Sequence, residues 1–409
     1  DSKRYVFSYL QKFHTYYDKY DSPFYPFKTI VMLLLNLLIQ GQNSMRRRDF
    51  IAGTAIGATA LALSGCHRAE EETAGTSANI NRGKKVTLKL ATSWPAHFPI
   101  MGTGVDAFAK RCAELSGGTL EIKVYAKNIL VPALQVFDST SAAKIDAFHS
   151  GVYYWKGKNP AFSIFGGMPL GLTSEEMITW MKFGGGYELW REMYGKFNLY
   201  PLIGGTTGSQ KGGWFKKEIN SLADLKGLKM RIPGLGGEVM KKLGVNPVLL
   251  PAGEIYTSLE RGTIDATEWV VPALDSMMGF AKAAPYYYTG WHEPGSILEI
   301  TFNKARWEKL SAEHQAIITA ASEEMSANML QEFRYKNAKA LQELPKNVEI
   351  RTFPKDMMDA AKIALGEVLD AESAKSEDFK RVLKSYQDFV KLNKPWDDIS
   401  TKNFLDIRG

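Results

Sequence analysis

The sequence predicts an α/β protein of two domains, with mixed, largely parallel sheets flanked by helices and a long helical C-terminal segment. Three observations carry this. Short strand patterns alternate with helical patterns through residues 86–271, as layered βα units do. The 409 residues, at about 150 per domain, supply two cores. Residues 311–343 and 354–392 are rich in Ala, Glu, Lys and Met, with the spacing of amphipathic helices that brace two lobes or form a dimer surface.

Val86–Ala91 (VTLKLA) alternates apolar and polar residues and reads as the first strand. Gly102–Leu115 follows as a helix with Val105, Phe108, Ala109 and Cys112 on its apolar face. Leu120–Tyr125 is a second strand, Val131–Lys144 is helix-like, and Ile145–Phe148 is a short strand. The middle repeats the theme. Gly212–Phe215 is extended, and Ser221 caps a helical turn to Leu225. Leu228–Ile232 is a strand closed by Pro233-Gly234; Gly236–Leu243 is a helix, and Asn246–Leu250 a strand. Glu254–Arg261 is a helix stopped by Gly262, and Ile264–Val271 a strand ending at Pro272.

Composition narrows the function. Two cysteines, Cys66 and Cys112, exclude a disulfide scaffold and a CxxC zinc site. The formal charge is +7, but residues 1–65 hold eight Lys/Arg against four Asp/Glu, so the remainder carries only +3. That gives nucleic-acid binding little support. Met45-Arg46-Arg47-Arg48-Asp49-Phe50 precedes a modest apolar run ending in Leu63-Ser64-Gly65-Cys66. This order resembles a twin-arginine export signal joined to a lipobox, with Cys66 as the lipid-anchored residue of a periplasmic protein. Residues 1–44 read as a non-native upstream leader, 45–66 as the signal and 67–83 as a flexible tether.

Two stretches carry a family resemblance. Leu249-Leu250-Pro251-Ala252-Gly253-Glu254-Ile255-Tyr256 through Ile264-Asp265-Ala266, and Ser221-Leu222-Ala223-Asp224-Leu225 through Arg231, resemble the solute-binding proteins of TRAP (tripartite ATP-independent periplasmic) transporters. The resemblance spans about residues 84–395. It implies a two-lobed periplasmic binding protein fold, type II-like, with lobe I at 84–208, lobe II at 209–298, and residues 299–409 returning to lobe I and the C-terminal helices. Crossovers are expected near 207–211 and 293–300. It also implies a membrane permease partner, no enzymatic activity, and a homodimer through the C-terminal helices.

Gly208-Ser209-Gln210-Lys211-Gly212-Gly213-Trp214-Phe215 and Thr267-Glu268-Trp269-Val270 are similar to the branch that binds 2-oxo acids, pyruvate among them, with a calcium or sodium ion. The resemblance assigns Gln210, Glu268 and Trp269 to the cation and Arg231 to the ligand carboxylate, with Gln210 also on the ligand. Glu293, in Trp291-His292-Glu293-Pro294-Gly295, matches a further ligand-contacting position.

The residues themselves agree. Arg231 ends a strand, where α/β sheets bind ligands, and a guanidinium can hold a carboxylate bidentately. Glu268 shares a strand face with Ile264 and Ala266, where a carboxylate needs a positive partner; Arg231 or a cation supplies it. Glu268, the Gln210 amide oxygen, the Trp269 carbonyl and two ligand oxygens make a hard, all-oxygen set suited to calcium or sodium. Trp94, Tyr154 and Phe215 are the leading candidates for the pocket wall.

Other readings stay open. A 2-hydroxy acid or a longer 2-oxo acid fits the same charges. His292 beside Glu293 is the acid/base pair an exported lyase or hydrolase would use. A structural lipoprotein would leave Arg231 and Glu268 simply paired. Gly102-Thr103-Gly104-Val105-Asp106-Ala107 mimics a dinucleotide fingerprint but sits too far from the preceding strand.

Overall fold

The computed structural model describes residues 84–408, and the upstream leader, signal, Cys66 and tether read above lie outside them. The first sheet is built from β1 (Val86–Thr92), β2 (Leu120–Tyr125), β3 (Ala147–Gly151), β4 (Leu199–Thr206) and a strand contributed from much later in the chain. Between them run α1 (Met101–Leu115), α2 (Val136–Ser141), α3 (Phe162–Gly166), α4 (Ser174–Phe183) and α5 (Gly186–Gly195). The second sheet takes β5 (Gly213–Phe215), β6 (Lys229–Arg231), β7 (Asn246–Val248), β8 (Ala266–Thr267) and β9 (Tyr286–Tyr288), with helices α6 (Gly234–Lys242), α7 (Ala252–Glu260) and α8 (Pro272–Met278). Then follow β10 (Ile297–Asn303), α9 (Lys304–Trp307), α10 (Ala312–Gln342), β11 (Glu349–Arg351), α11 (Lys355–Lys375), α12 (Glu377–Ile399) and α13 (Thr401–Arg408).

The first sheet has the order β2-β1-β3-β10-β4, with β1 parallel to β2 and β3 and β10 antiparallel to both its neighbours. The second has the order β11-β9-β5-β8-β6-β7, with β6 parallel to β7 and β8. The chain crosses between lobes on either side of these sheets, and the two crossings touch. Gln210 N–H donates to the Glu293 carbonyl at 2.9 Å and Thr207 N–H to that of Ser296 at 3.3 Å. Gly290 makes room for this approach, since a Cβ there would run into the Gln210 carbonyl oxygen. The 31-residue α10 packs on β4 and α1 in one lobe and α8 in the other. A single apolar cluster runs from β1 and α1 through Trp94 and Trp269 to α7 and α8, so the lobes are closed on each other.

Several expectations shift. Ile264–Val271 contributes only two residues of strand: Glu268 N–H makes the last ladder bond, to the Arg231 carbonyl at 2.9 Å, and Val270 N–H then turns to the Asp275 carboxylate at 3.1 Å. Glu268 therefore lies just beyond β8 instead of on a strand face. The third strand runs to Gly151, through His149 and Ser150. All its residues are buried between layers, so polar side chains there have no alternation to announce them. The helix expected over 131–144 splits into a 3-10 turn, Ala133–Gln135, and the short α2. β10 and α9 pack with the first sheet, α10 touches both lobes, β11 joins the second sheet beside β9 and α11 packs on α6, so residues 299–409 brace both lobes.

Candidate functional site

The carboxyl ends of parallel strands from both sheets meet between the lobes. Arg231 is the last residue of β6 and is 1% exposed. Its Nη1 donates to the Glu268 Oε2 at 2.7 Å and to the Glu268 carbonyl at 2.9 Å. Nε donates to the Leu250 carbonyl at 3.3 Å, while Nη2 makes only a long 3.4 Å contact with the Tyr154 hydroxyl across the lobes. The guanidinium also lies 5.2 Å from the Trp269 ring centroid, a cation–π distance. Arg231 is thus clamped on one edge and open on the other.

Around it stand buried polar atoms with no partner among the described residues: Gln210 Oε1, Glu268 Oε1, Glu293 Oε2, Trp269 Nε1, both ring nitrogens of His292, and Ser296 Oγ. Leaving such groups unsatisfied costs about 1–3 kcal/mol each, and so many beside one another mark a site that awaits something polar. Gln210 is held from behind, its Nε2 donating to Thr207 Oγ1 at 3.1 Å, which leaves the oxygen free. His292 Nε2 lies 3.6 Å from Glu268 Oε1, beyond a hydrogen bond but close enough for charge to matter. Burial opposes its protonated form, yet Glu268 and Glu293 together hold its pKa above the ordinary value. Burial pushes the Glu293 carboxyl up to about 8, against the pull of His292.

The aromatic wall comes from both lobes. Trp94, two residues past β1, meets Tyr154 at 6.5 Å and Trp269 edge-on at 6.4 Å between ring centroids; Phe98 also meets Trp269. Trp94 Nε1–H donates to His149 Nδ1 at 2.7 Å, and His149 Nε2–H donates to the Gly204 carbonyl at 2.9 Å. Burial drops the His149 pKa to about 4, so it is the neutral ring that fixes Trp94. Phe215 does not join them. Its ring packs on Tyr288 and Phe353 in the core of the second lobe, a correction to the expectation that it lines the pocket.

The structure brings together Arg231, Gln210, Glu268, Trp269, Glu293, Trp94 and Tyr154. Sequence reasoning missed Ser296 and read His292 only as an acid/base candidate; adjacency to Glu293 in a Gly/Pro loop was the one signal for either. The cluster is sealed by the closed lobes. A groove of about 320 Å³ between α1 and α10 and another of about 490 Å³ beside α5 and α12 lie elsewhere on the surface.

Among the described residues, no three His, Cys, Asp or Glu side chains are arranged to hold a metal by themselves. A cation here would need the Gln210 amide, backbone and ligand oxygens as well as Glu268. The unpartnered oxygens of Gln210 and Glu268 fit that requirement, and hard oxygen donors suit calcium or sodium.

Two α/β lobes joined by paired crossovers and closed over a buried arginine define a solute-binding protein fold. The chain matches the family model of bacterial extracellular solute-binding proteins, family 7, over residues 90–376, and it belongs to that family. It is 38% identical over 367 residues to a monocarboxylate 2-oxoacid-binding periplasmic protein of Nostoc sp. strain PCC 7120, covering 88% of this chain and 99% of the relative. Among solved structures, it resembles a TRAP periplasmic solute-binding protein from Colwellia psychrerythraea with bound calcium and pyruvate. The TM-score is 0.76 and the identity 42%, over 79% of this chain and 99% of that one. The match to a Pseudoalteromonas atlantica T6c protein with bound sodium and pyruvate has the same values.

Proposed function

We propose that the chain is the extracytoplasmic solute-binding component of a TRAP transporter and captures a small 2-oxo monocarboxylate such as pyruvate, bridged by Arg231 and a calcium or sodium ion. One observation carries the reading: a buried arginine with one free edge stands beside unpartnered carboxylate and amide oxygens. A bare carboxylate would satisfy Arg231 but repel Glu268. A cation placed between Glu268, Gln210, the Trp269 carbonyl and the 2-oxo group removes the repulsion and uses those oxygens. Glu293, protonated, donates to a ligand oxygen, while Trp94 and Tyr154 enclose its alkyl end.

When bound, the cation would neutralise the charge between Glu268 and the ligand. The protein residues orient the anion and exclude water as the lobes close. The Lys156–Glu238 pair, 2.7 Å apart, links the lobes at the rim of the closed form. The bound acid is delivered unchanged to a membrane permease. Leu63-Ser64-Gly65-Cys66 supports a lipid anchor at Cys66 in the periplasm. Leu392, Trp396, Ile399, Phe404 and Ile407, all exposed on the last two helices, offer the surface for a homodimer.

Calorimetric titration of pyruvate into chelator-stripped residues 67–409, with and without calcium or sodium, tests this. Cation-dependent binding with no loss of pyruvate is expected, and Glu268→Ala should abolish the cation dependence. Cation-independent binding would remove the metal assignment; tighter binding of lactate would favour the 2-hydroxy acid, and turnover would make the protein an enzyme.

A further inference from the structure

Asp275, on α8, is 1% exposed and accepts from three donors. Its Oδ1 takes the Val270 N–H at 3.1 Å, and its Oδ2 takes Trp214 Nε1–H and the Tyr287 hydroxyl, each at 3.0 Å. The first of these bonds reaches the binding site. The Trp269 carbonyl and the Val270 N–H belong to the same peptide unit, which is planar and trans, so the two point in opposite directions. Holding that N–H toward α8 fixes where the Trp269 oxygen can aim. The other side of Val270 is fixed as well, because its carbonyl accepts the Lys211 N–H at 3.0 Å, and Lys211 follows Gln210. One residue, anchored by one carboxylate, therefore ties the Trp269 backbone to the crossover segment that carries Gln210.

We infer that Asp275 is a positioning residue for the cation: it orients the Trp269 carbonyl as a ligand and holds it in register with Gln210. The inference rests on the cation assignment proposed above. Asp275 does not touch the ion. It spares the site the cost of rotating a peptide each time the ion binds, as groups behind metal ligands do, and their loss typically weakens a metal site about 10–100-fold.

The test is titration of calcium, with pyruvate present, into wild type, Asp275→Ala and the triple variant Asp275→Leu, Trp214→Phe, Tyr287→Phe. The triple variant removes the Trp214 and Tyr287 donors together with the carboxylate, so that of the cluster only the Val270 N–H loses its partner, while leucine fills space that alanine would leave empty; it decides the matter if the alanine variant does not fold. Calcium affinity should fall about 10–100-fold in the folded variants, and saturating calcium should restore wild-type pyruvate affinity. A purely structural role would not allow that rescue. Wild-type calcium affinity in a folded variant, or pyruvate affinity that saturating calcium does not restore, overturns the inference. A wild-type protein whose pyruvate binding ignores calcium and sodium fails at the control instead, and takes down the cation assignment together with the role given to Asp275.

Discussion

Replacing Arg231 by lysine separates its charge from its shape. A guanidinium has five N–H donors. Two at Nη1 go to Glu268 and one at Nε goes to Leu250. The Nη2 edge has only the 3.4 Å contact with Tyr154 to give up, and it is this edge that would receive the ligand carboxylate. Lysine has three donors on a single atom. It can keep a positive charge beside Glu268, so the fold should survive, whereas an apolar residue would strand a buried carboxylate at a cost of about 3–5 kcal/mol. Once Nζ serves Glu268, it cannot also present a planar pair to the ligand. Losing one charge-assisted bond, about 1.5–3 kcal/mol, corresponds to roughly 10–100-fold in affinity at about 1.4 kcal/mol per decade. The assay is calorimetric titration of pyruvate at saturating calcium, with thermal melting to check folding. A folded Arg231→Lys protein that binds pyruvate as tightly as wild type would refute the reasoning and place the carboxylate elsewhere.

Gly290→Ala should lower the melting temperature and weaken pyruvate binding, because the new methyl group meets the Gln210 carbonyl where the two crossovers touch; a cost of about 1–3 kcal/mol is expected for such overpacking, and an unchanged melt would show that the crossovers can part freely. Glu299 is buried on β10 among Trp155, Tyr194 and Thr301 hydroxyl or indole donors, and burial raises its pKa from the ordinary carboxylate range to about 8. A raised carboxyl pKa contributes stability that is fully present below the unfolded value and is lost as pH rises through the folded one. The ligand-free protein should therefore lose stability between about pH 4.5 and pH 8. Glu299→Gln, which mimics the protonated acid, should flatten that decline in chemical denaturation at a series of pH values; a decline as steep as in wild type would assign it to other groups.

The sequence by itself determined the local elements and the chemistry available to the site. The strand patterns at 86–91, 120–125 and 228–232, the Ser221 cap and the long C-terminal helices are written in nearest-neighbour periodicity, and the structure has each of them within a few residues. The family motifs pointed to Arg231, Gln210, Glu268 and Trp269, which lie at strand ends or in the crossover, where turn signals are also local. Tertiary structure alone decided which groups face one another. His292 lies 24 residues beyond Glu268 yet only 3.6 Å from it, a proximity produced by the return crossover. Phe215 is close in sequence to Gln210, but sheet packing turns its ring into the core with Phe353, a residue from the far side of α10. Asp275 resembles any acidic residue in the first turn of a helix until Val270, Trp214 and Tyr287 arrive from three other segments. β11 is a three-residue strand that exists because β9 offers it a free edge. Periodicity reports the face a residue presents; it does not report the partner, since partners are chosen by the closing of long loops and the burial of whole layers.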